Sequence, residues 1–131
     1  MRFGELKGLT SLPINRVRDQ FRYEEVLTVL PVREAGTGHE TLFVATRPTL
    51  ALLTPVRLPP RHWMTRWAPW DSVTIADPGD PSGLDDDLFR LGVLIGGRAF
   101  HAQLRGEAGR KALRDFVMAM RMSQPRKAAR R

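Results

Sequence analysis

Short apolar runs separated by turn residues predict β-strands between residues 25 and 105. The two longest lie at 41–46 and 49–57, rich in Leu, Val, Phe and Thr, on either side of Arg47 and Pro48. Proline fixes its own φ angle and has no backbone N–H, so Pro48 belongs in a turn. This stretch predicts a long β-hairpin, which needs further strands or a helix to cover its apolar side.

More strands are predicted on both sides of this hairpin. An apolar run at 25–32 precedes it, a β-branched run at 71–77 follows it, and two apolar runs flank Gly96 and Gly97. A Gly-Gly pair between strands is typical of a two-residue hairpin, because such turns need positive φ angles. The segment 61–70, which holds all three tryptophans, fits either one face of a helix or an edge strand.

An amphipathic helix is predicted over 107–122. Its apolar residues recur at spacings of one, three and four and form one stripe. Seven short strands joined mostly by hairpins favour a barrel or two packed sheets, since both limit exposed edges. We therefore expect a mainly β fold, with this C-terminal helix plugging the open end of a seven-stranded barrel or sandwich. The stripe consists of Ala112, Leu113, Phe116, Val117 and Met120.

The N-terminal part of the chain gives a weaker pattern. Leu12, Val17 and Phe21 are spaced so that a short helix around 13–21 can lay one apolar edge on the core. Residues 1–11 show no periodicity, and we expect them to form a loose arm.

Length and composition indicate a single globular domain. The chain has 131 residues, of which 42% are apolar and 27% charged, and it has no cysteine. Disulfides and thiolate metal sites are therefore excluded. No apolar run approaches the roughly 20 residues of a membrane span, and residues 1–13 lack the apolar block of a signal peptide. We expect a cytoplasmic protein, with the inner membrane surface as an alternative location.

Most of the net charge of +7 comes from one end of the chain. Residues 121–131 hold five basic residues and no acid, which contributes +5. Such a tail attracts anionic membranes or, through counterion release, nucleic acids. The simpler interpretation is a solubilising tail. Its candidate binding residues are Arg126, Lys127, Arg130 and Arg131.

The order and spacing of these elements resemble a bacterial pleckstrin-homology-like (PH-like) domain over residues 24–122. The strand at 25–32, the hairpin TLFVATRPTLALLT, the segment WAPWDSV at 67–73, and the final hairpin and helix carry the resemblance. Pro48 departs from it, because that family has a charged turn residue there. The resemblance implies a PH-like antiparallel barrel or sandwich plugged by the helix, with an N-terminal arm at 1–23 and a disordered basic tail at 123–131.

The resemblance also implies how such a domain would bind a partner. Lipid-binding members carry a Lys/Arg cluster on the first two strands, where this chain has Arg33 alone beside Glu34 and Glu40. Specific phosphoinositide binding is therefore not expected. The fold can instead offer a groove between an open strand edge and the C-terminal helix, where an extended segment of a protein can add a strand.

No catalytic residue, cofactor or metal site is predicted. His39, His62 and His101 lack metal-ligand spacing, and no serine lies in a nucleophile motif. The aspartates between 77 and 87 could bind a hard cation, but a solvated acidic loop explains them more simply.

The remaining candidate surface mixes basic and aromatic residues, a composition that suits anionic headgroups or stacked bases. The alternative is that the tryptophans are packing residues. We predict a non-enzymatic interaction module that contacts a protein or peptide. The alternative function is association with nucleic acid or an anionic membrane surface through the tail and segment 57–70. The candidate partner-binding residues of that segment are Arg57, Arg61, Trp63, Arg66 and Trp67.

Overall fold

The computed structural model describes residues 1–58, 60, 62–77 and 88–124. The predicted acidic loop and the basic tail beyond Gln124 lie outside the described residues. Seven strands and two helices follow one another, with short 3-10 turns at Phe3–Leu6 and Trp70–Ser72. The elements are α1 Ile14–Gln20, β1 Val26–Glu34, β2 Glu40–Thr46, β3 Thr49–Val56, β4 His62–Pro69, β5 Val73–Asp77, β6 Leu88–Ile95, β7 Arg98–Arg105 and α2 Gly106–Ser123.

All seven strands belong to one antiparallel sheet, in the order β4-β3-β2-β1-β7-β6-β5. The mainly β fold with a C-terminal helix is thus confirmed, and segment 62–69 is the edge strand rather than a helix. The expected closure into a barrel is wrong, because β4 and β5 are the two edges of the described sheet. The turn Trp70–Ser72 connects them along the chain. Trp70 is buried there, and its Nε1 donates to the carbonyl of Thr46 at 2.8 Å.

The predicted final hairpin is confirmed. β6 and β7 pair without interruption and are joined by Gly96 and Gly97, at φ angles of 55° and 85°. Positive φ at both turn positions is what a two-residue hairpin demands, and glycine accepts it without steric cost.

The sheet is nearly split between β1 and β7, which pair only at Arg33 and Glu34. The N–H of Val29 points away from β2 and donates to the carbonyl of Met1 at 2.9 Å. Since alternate residues of a strand direct their backbone groups to the same side, Pro31 also faces away from β2. Pro31 has no N–H with which to continue the ladder to β7. The two halves of the sheet therefore diverge beyond this point.

Helix α2 covers one face of the sheet, here called the α2 face. Phe116 is fully buried there, with its ring 5.5 Å from that of Phe43 and 6.1 Å from that of Trp70. Gly109 lets the helix approach β7, because a Cβ at this position would lie 2.8 Å from the backbone of Leu104. The prediction that this helix buries its apolar stripe against the strands is confirmed.

The N-terminal segment covers the opposite face, here called the α1 face. The predicted short helix is confirmed, with Leu12, Val17 and Phe21 buried. The loose arm is wrong, because Leu6 has no exposed surface and Glu40 accepts hydrogen bonds from the segment's hydroxyls and backbone. Its apolar side chains form a second buried cluster with strand residues Val29, Leu42, Val44, Ala51 and Leu53.

Candidate functional site

A groove of about 850 Å³ lies between α2 and the edge strand β5. It arises because β5 pairs only with β6 in the described sheet, while α2 runs beside its other edge. The apolar part of the groove consists of Val73 and Ile75 from the strand and Val117, Met118 and Met120 from the helix. Met118 is 52% exposed, so the apolar surface here remains open to solvent.

Two arginines line the helix side of this groove. Arg114 and Arg121 are exposed, and neither forms an ion pair with another residue in the described part of the chain. They are seven positions apart, two turns of the helix, with Val117 and Met118 on the turn between them. Asp71, in the turn Trp70–Ser72, supplies a negative charge in the same groove. The groove is thus apolar in the middle and mainly basic at its helical side.

The strand side offers backbone groups as well as side chains. Thr74 lies opposite Leu94 in the β5–β6 ladder. The two-residue turn that follows Ile95 makes the N–H and C=O of Ile95 point toward β7. Because directions alternate along a strand, Leu94 and Thr74 face each other, and the N–H and C=O of Val73 and Ile75 point away from β6. The groove therefore meets the hydrogen-bonding edge of β5.

Gln124 closes one end of the groove. Its Nε2 donates to the carbonyl of Trp70 at 2.9 Å and to that of Val73 at 3.0 Å. The Val73 bond confirms that this carbonyl faces away from β6. With Val73 occupied, Ile75 is the position of β5 that can pair with an incoming chain.

The structure divides the Trp/Arg segment predicted to bind a partner. Side chains alternate between the two faces of β4. Trp63 and Trp67 lie on the α1 face, where Trp63 Nε1 donates to Gln20 Oε1 at 2.7 Å and the Trp67 ring lies 5.9 Å from that of Phe21. Arg66 occupies an alternate position and so lies on the α2 face. These residues form no single basic and aromatic surface.

The other predicted site residues lie elsewhere. Arg57 follows β3 and lines a separate cavity of about 520 Å³ with His39, His62 and Glu40. The carboxylate of Glu40 opposes the positive charge of Arg57 there, which disfavours an anion site. Arg61 and the basic tail residues Arg126, Lys127, Arg130 and Arg131 lie outside the described residues.

Glu40 fixes the N-terminal segment rather than contributing reactive chemistry. Partial burial alone would raise the pKa of Glu40, but hydrogen bonds from Ser11 and Thr10 outweigh it and hold the pKa below its usual value. The Thr10 hydroxyl donates at 2.6 Å and the Ser11 N–H at 2.7 Å. A carboxylate held ionised by such donors is a structural anchor.

The described residues contain neither a cluster of metal-ligating side chains nor a helix that could span a membrane. No three His, Asp or Glu side chains among them lie close enough together to hold a metal ion. No helix among the described residues is long enough and apolar enough to cross a membrane.

Comparison with models of known protein families gives no match, and comparison with curated proteins gives none either. The resemblance to PH-like domains thus stays a prediction.

The sequence pattern did not identify the groove residues themselves. In the helical pattern Arg114 and Arg121 fall on the polar side, although both border the apolar stripe. Their position three and four residues from Val117 is the signal that could have drawn attention to them. Gln124 gave no signal, because its two acceptors are more than fifty residues away in the chain.

Proposed function

We propose that this chain is a non-enzymatic interaction module that binds a short extended segment of a partner protein in the groove between α2 and β5. The observation that carries the proposal is the open edge of β5 beside an exposed apolar helix surface. An extended peptide can exchange backbone hydrogen bonds with Ile75 and place alternate side chains against Val117 and Met118.

The charge of the groove favours an acidic segment. Arg114 and Arg121 stand on its helix side without ionic partners among the described residues. Carboxylates of a bound peptide would pair with them, and exposed pairs of this kind contribute about 0.2–1 kcal/mol each. We therefore expect partner segments in which acidic residues accompany alternating apolar ones.

The basic and aromatic alternative receives less support. Binding nucleic acid or an anionic membrane through segment 57–70 would require its tryptophans and arginines on one surface. Arg66 lies on the opposite face of β4 from Trp63 and Trp67, and these tryptophans contact Gln20 of α1 and the adjoining Phe21, respectively. For this reason we propose a peptide partner.

A display library of short random peptides, selected on the full chain, tests the proposal. We expect enrichment of acidic sequences with apolar residues two positions apart. The double change Arg114→Glu and Arg121→Glu should then weaken binding by roughly tenfold, since two pairs of about 0.7 kcal/mol correspond to that factor. Arg18→Glu with Arg22→Glu is the matched control, because it reverses two exposed charges at α1.

A second pair of variants tests the backbone contact. Ile75→Pro removes an N–H that points away from β6, so the internal ladder should survive. Ile75→Ala shortens the same side chain but keeps the N–H. We expect Ile75→Pro to weaken peptide binding beyond the loss seen for Ile75→Ala, with both variants folded by circular dichroism. Failure to enrich any peptide, or binding that ignores both sets of changes, would overturn the proposed function.

A further inference from the structure

The edge strand β4 is built differently from β5. It pairs with β3 over all eight residues, His62–Pro69, without a bulge. β5 has five residues, a register shift before Asp77, and a carbonyl already bonded to Gln124. Natural proteins protect edge strands by shortness, bulges, covering elements or charges, because an open edge pairs with other chains. β5 shows three of these features and keeps Ile75 as its open position, whereas β4 is long and regular and carries one fixed charge, Arg66, along 62–68.

The backbone groups on the free edge of β4 can be identified from the ladders. Val29 faces away from β2, as its bond to Met1 shows. Counting the alternation through the uninterrupted pairs of β1, β2, β3 and β4 gives the direction at every position. By this count, the N–H and C=O groups of Trp63, Thr65 and Trp67 point away from β3. Pro69 shares this phase and, having no N–H, ends the free edge.

The side chains of Trp63 and Thr65 are held in place by α1, and the Trp67 ring lies 5.9 Å from that of Phe21, the residue that follows α1. Gln20 accepts from Trp63 Nε1 at 2.7 Å and donates to Thr65 Oγ1 at 3.0 Å. Arg16 lies over the Trp63 ring, 5.4 Å from its centroid. The edge is thus fixed before any partner arrives, which lowers the entropic cost of pairing. Trp67 and Met64 nevertheless remain 50% and 57% exposed on opposite faces of the strand.

We propose that β4 is the dimerisation edge of this protein, pairing antiparallel with β4 of a second copy. A two-fold axis at Thr65 is the arrangement that uses all three outward-facing residues. Thr65 then pairs with its counterpart, and Trp63 pairs with Trp67 of the second copy. Each of the three pairs exchanges two backbone hydrogen bonds. The contact is isologous and closed, so assembly stops at two chains.

The same register suits the side chains on both faces. On the α1 face each Trp63 meets a Trp67 across the strands, and aromatic cross-strand pairs are favourable. On the α2 face each Arg66 lies opposite Met64, so no two arginines are directly opposed. A single pair of edge strands of this length is a small interface, so we expect a weak, reversible dimer.

Sedimentation velocity of the full chain over a range of concentrations tests the dimer. We expect a reversible monomer–dimer equilibrium that Thr65→Pro abolishes, because proline removes an outward N–H without breaking the ladder to β3. Thr65→Ala is the matched control, since it loses the hydroxyl that contacts Gln20 but keeps the N–H, and it should still dimerise. Both variants should melt cooperatively.

A charge pair of variants tests the register. Met64→Glu places a carboxylate opposite Arg66 of the second copy, whereas Met64→Lys places like charges there. Cross-strand pairs contribute about 0.2–1 kcal/mol each and occur twice, so Met64→Glu should dimerise roughly tenfold more tightly than Met64→Lys. Equal dimerisation of these variants would overturn the register. A protein that stays monomeric, forms larger oligomers or dimerises equally well with Thr65→Pro would overturn the dimer, and none of these results depends on the peptide groove.

Discussion

The two faces of the sheet are covered by elements of very different kinds. The α2 face lies under an 18-residue amphipathic helix, and the α1 face lies under an irregular segment that contains a seven-residue helix. Both covers bury side chains completely, as Phe116 and Leu6 show. A regular helix and an irregular segment can therefore bury apolar side chains equally completely.

The difference lies in how each cover is held. Helix α2 presents a continuous stripe, so its burial is spread from Gly109 to Met120, about three turns of similar contacts. The N-terminal segment is attached at separate points, which include Leu6, Val17 and the hydrogen bonds from Thr10 and Ser11 to Glu40. We expect the largest loss of stability from a single truncation to occur on the α2 face. On the α1 face, the loss should depend on which residue is truncated.

The largest effect should come from Phe116→Ala. It removes an aromatic side chain from the centre of the α2 face and should lower the free energy of unfolding by about 3–5 kcal/mol. Urea denaturation followed by circular dichroism measures the loss. Arg114→Ala, on the exposed side of the same helix, is the control and should change stability by less than about 0.5 kcal/mol. Similar small losses for both would contradict the assigned packing of α2.

The next effect should come from the opposite face, with Leu6→Ala. Leu6 is fully buried, so its truncation should cost about 2–5 kcal/mol if the N-terminal segment is part of the core. Leu9→Ala is the control, because Leu9 is 44% exposed and three residues away. Denaturation midpoints compare the two variants, and limited proteolysis should cut the Leu6→Ala segment first. A loose arm would make both substitutions equally harmless.

The smallest effect should be the pH dependence of Glu40. Its pKa is held below the usual value of 4.5 in the folded protein, so it stabilises the fold above pH 4.5 and loses this contribution as pH falls through the folded pKa. Glu40→Gln should therefore be less stable than the unaltered protein near neutral pH, with the difference shrinking in acid. Thermal melts across this range measure it. A stability difference that does not change with pH would show that anchoring by Glu40 does not depend on its negative charge.

The elements that the sequence determined are those specified by neighbouring residues. Gly96 and Gly97 define a two-residue turn because the requirement for positive φ is local. The stripe of α2 follows from a helical period that is complete within one segment. The hairpin around Pro48 is predictable for the same reason, since proline restricts its own backbone.

Tertiary structure decided the features that depend on distant parts of the chain. Segment 62–69 suits a helix or a strand, and only pairing with β3 selects the strand and so separates Arg66 from Trp63 and Trp67. Residues 1–11 have no period to reveal burial, because an irregular segment buries single side chains wherever the sheet leaves space. The groove of β5 depends on Gln124 reaching Trp70 and Val73. Contacts between positions so far apart form only when the whole sheet brings them together, and therefore no local pattern encodes them.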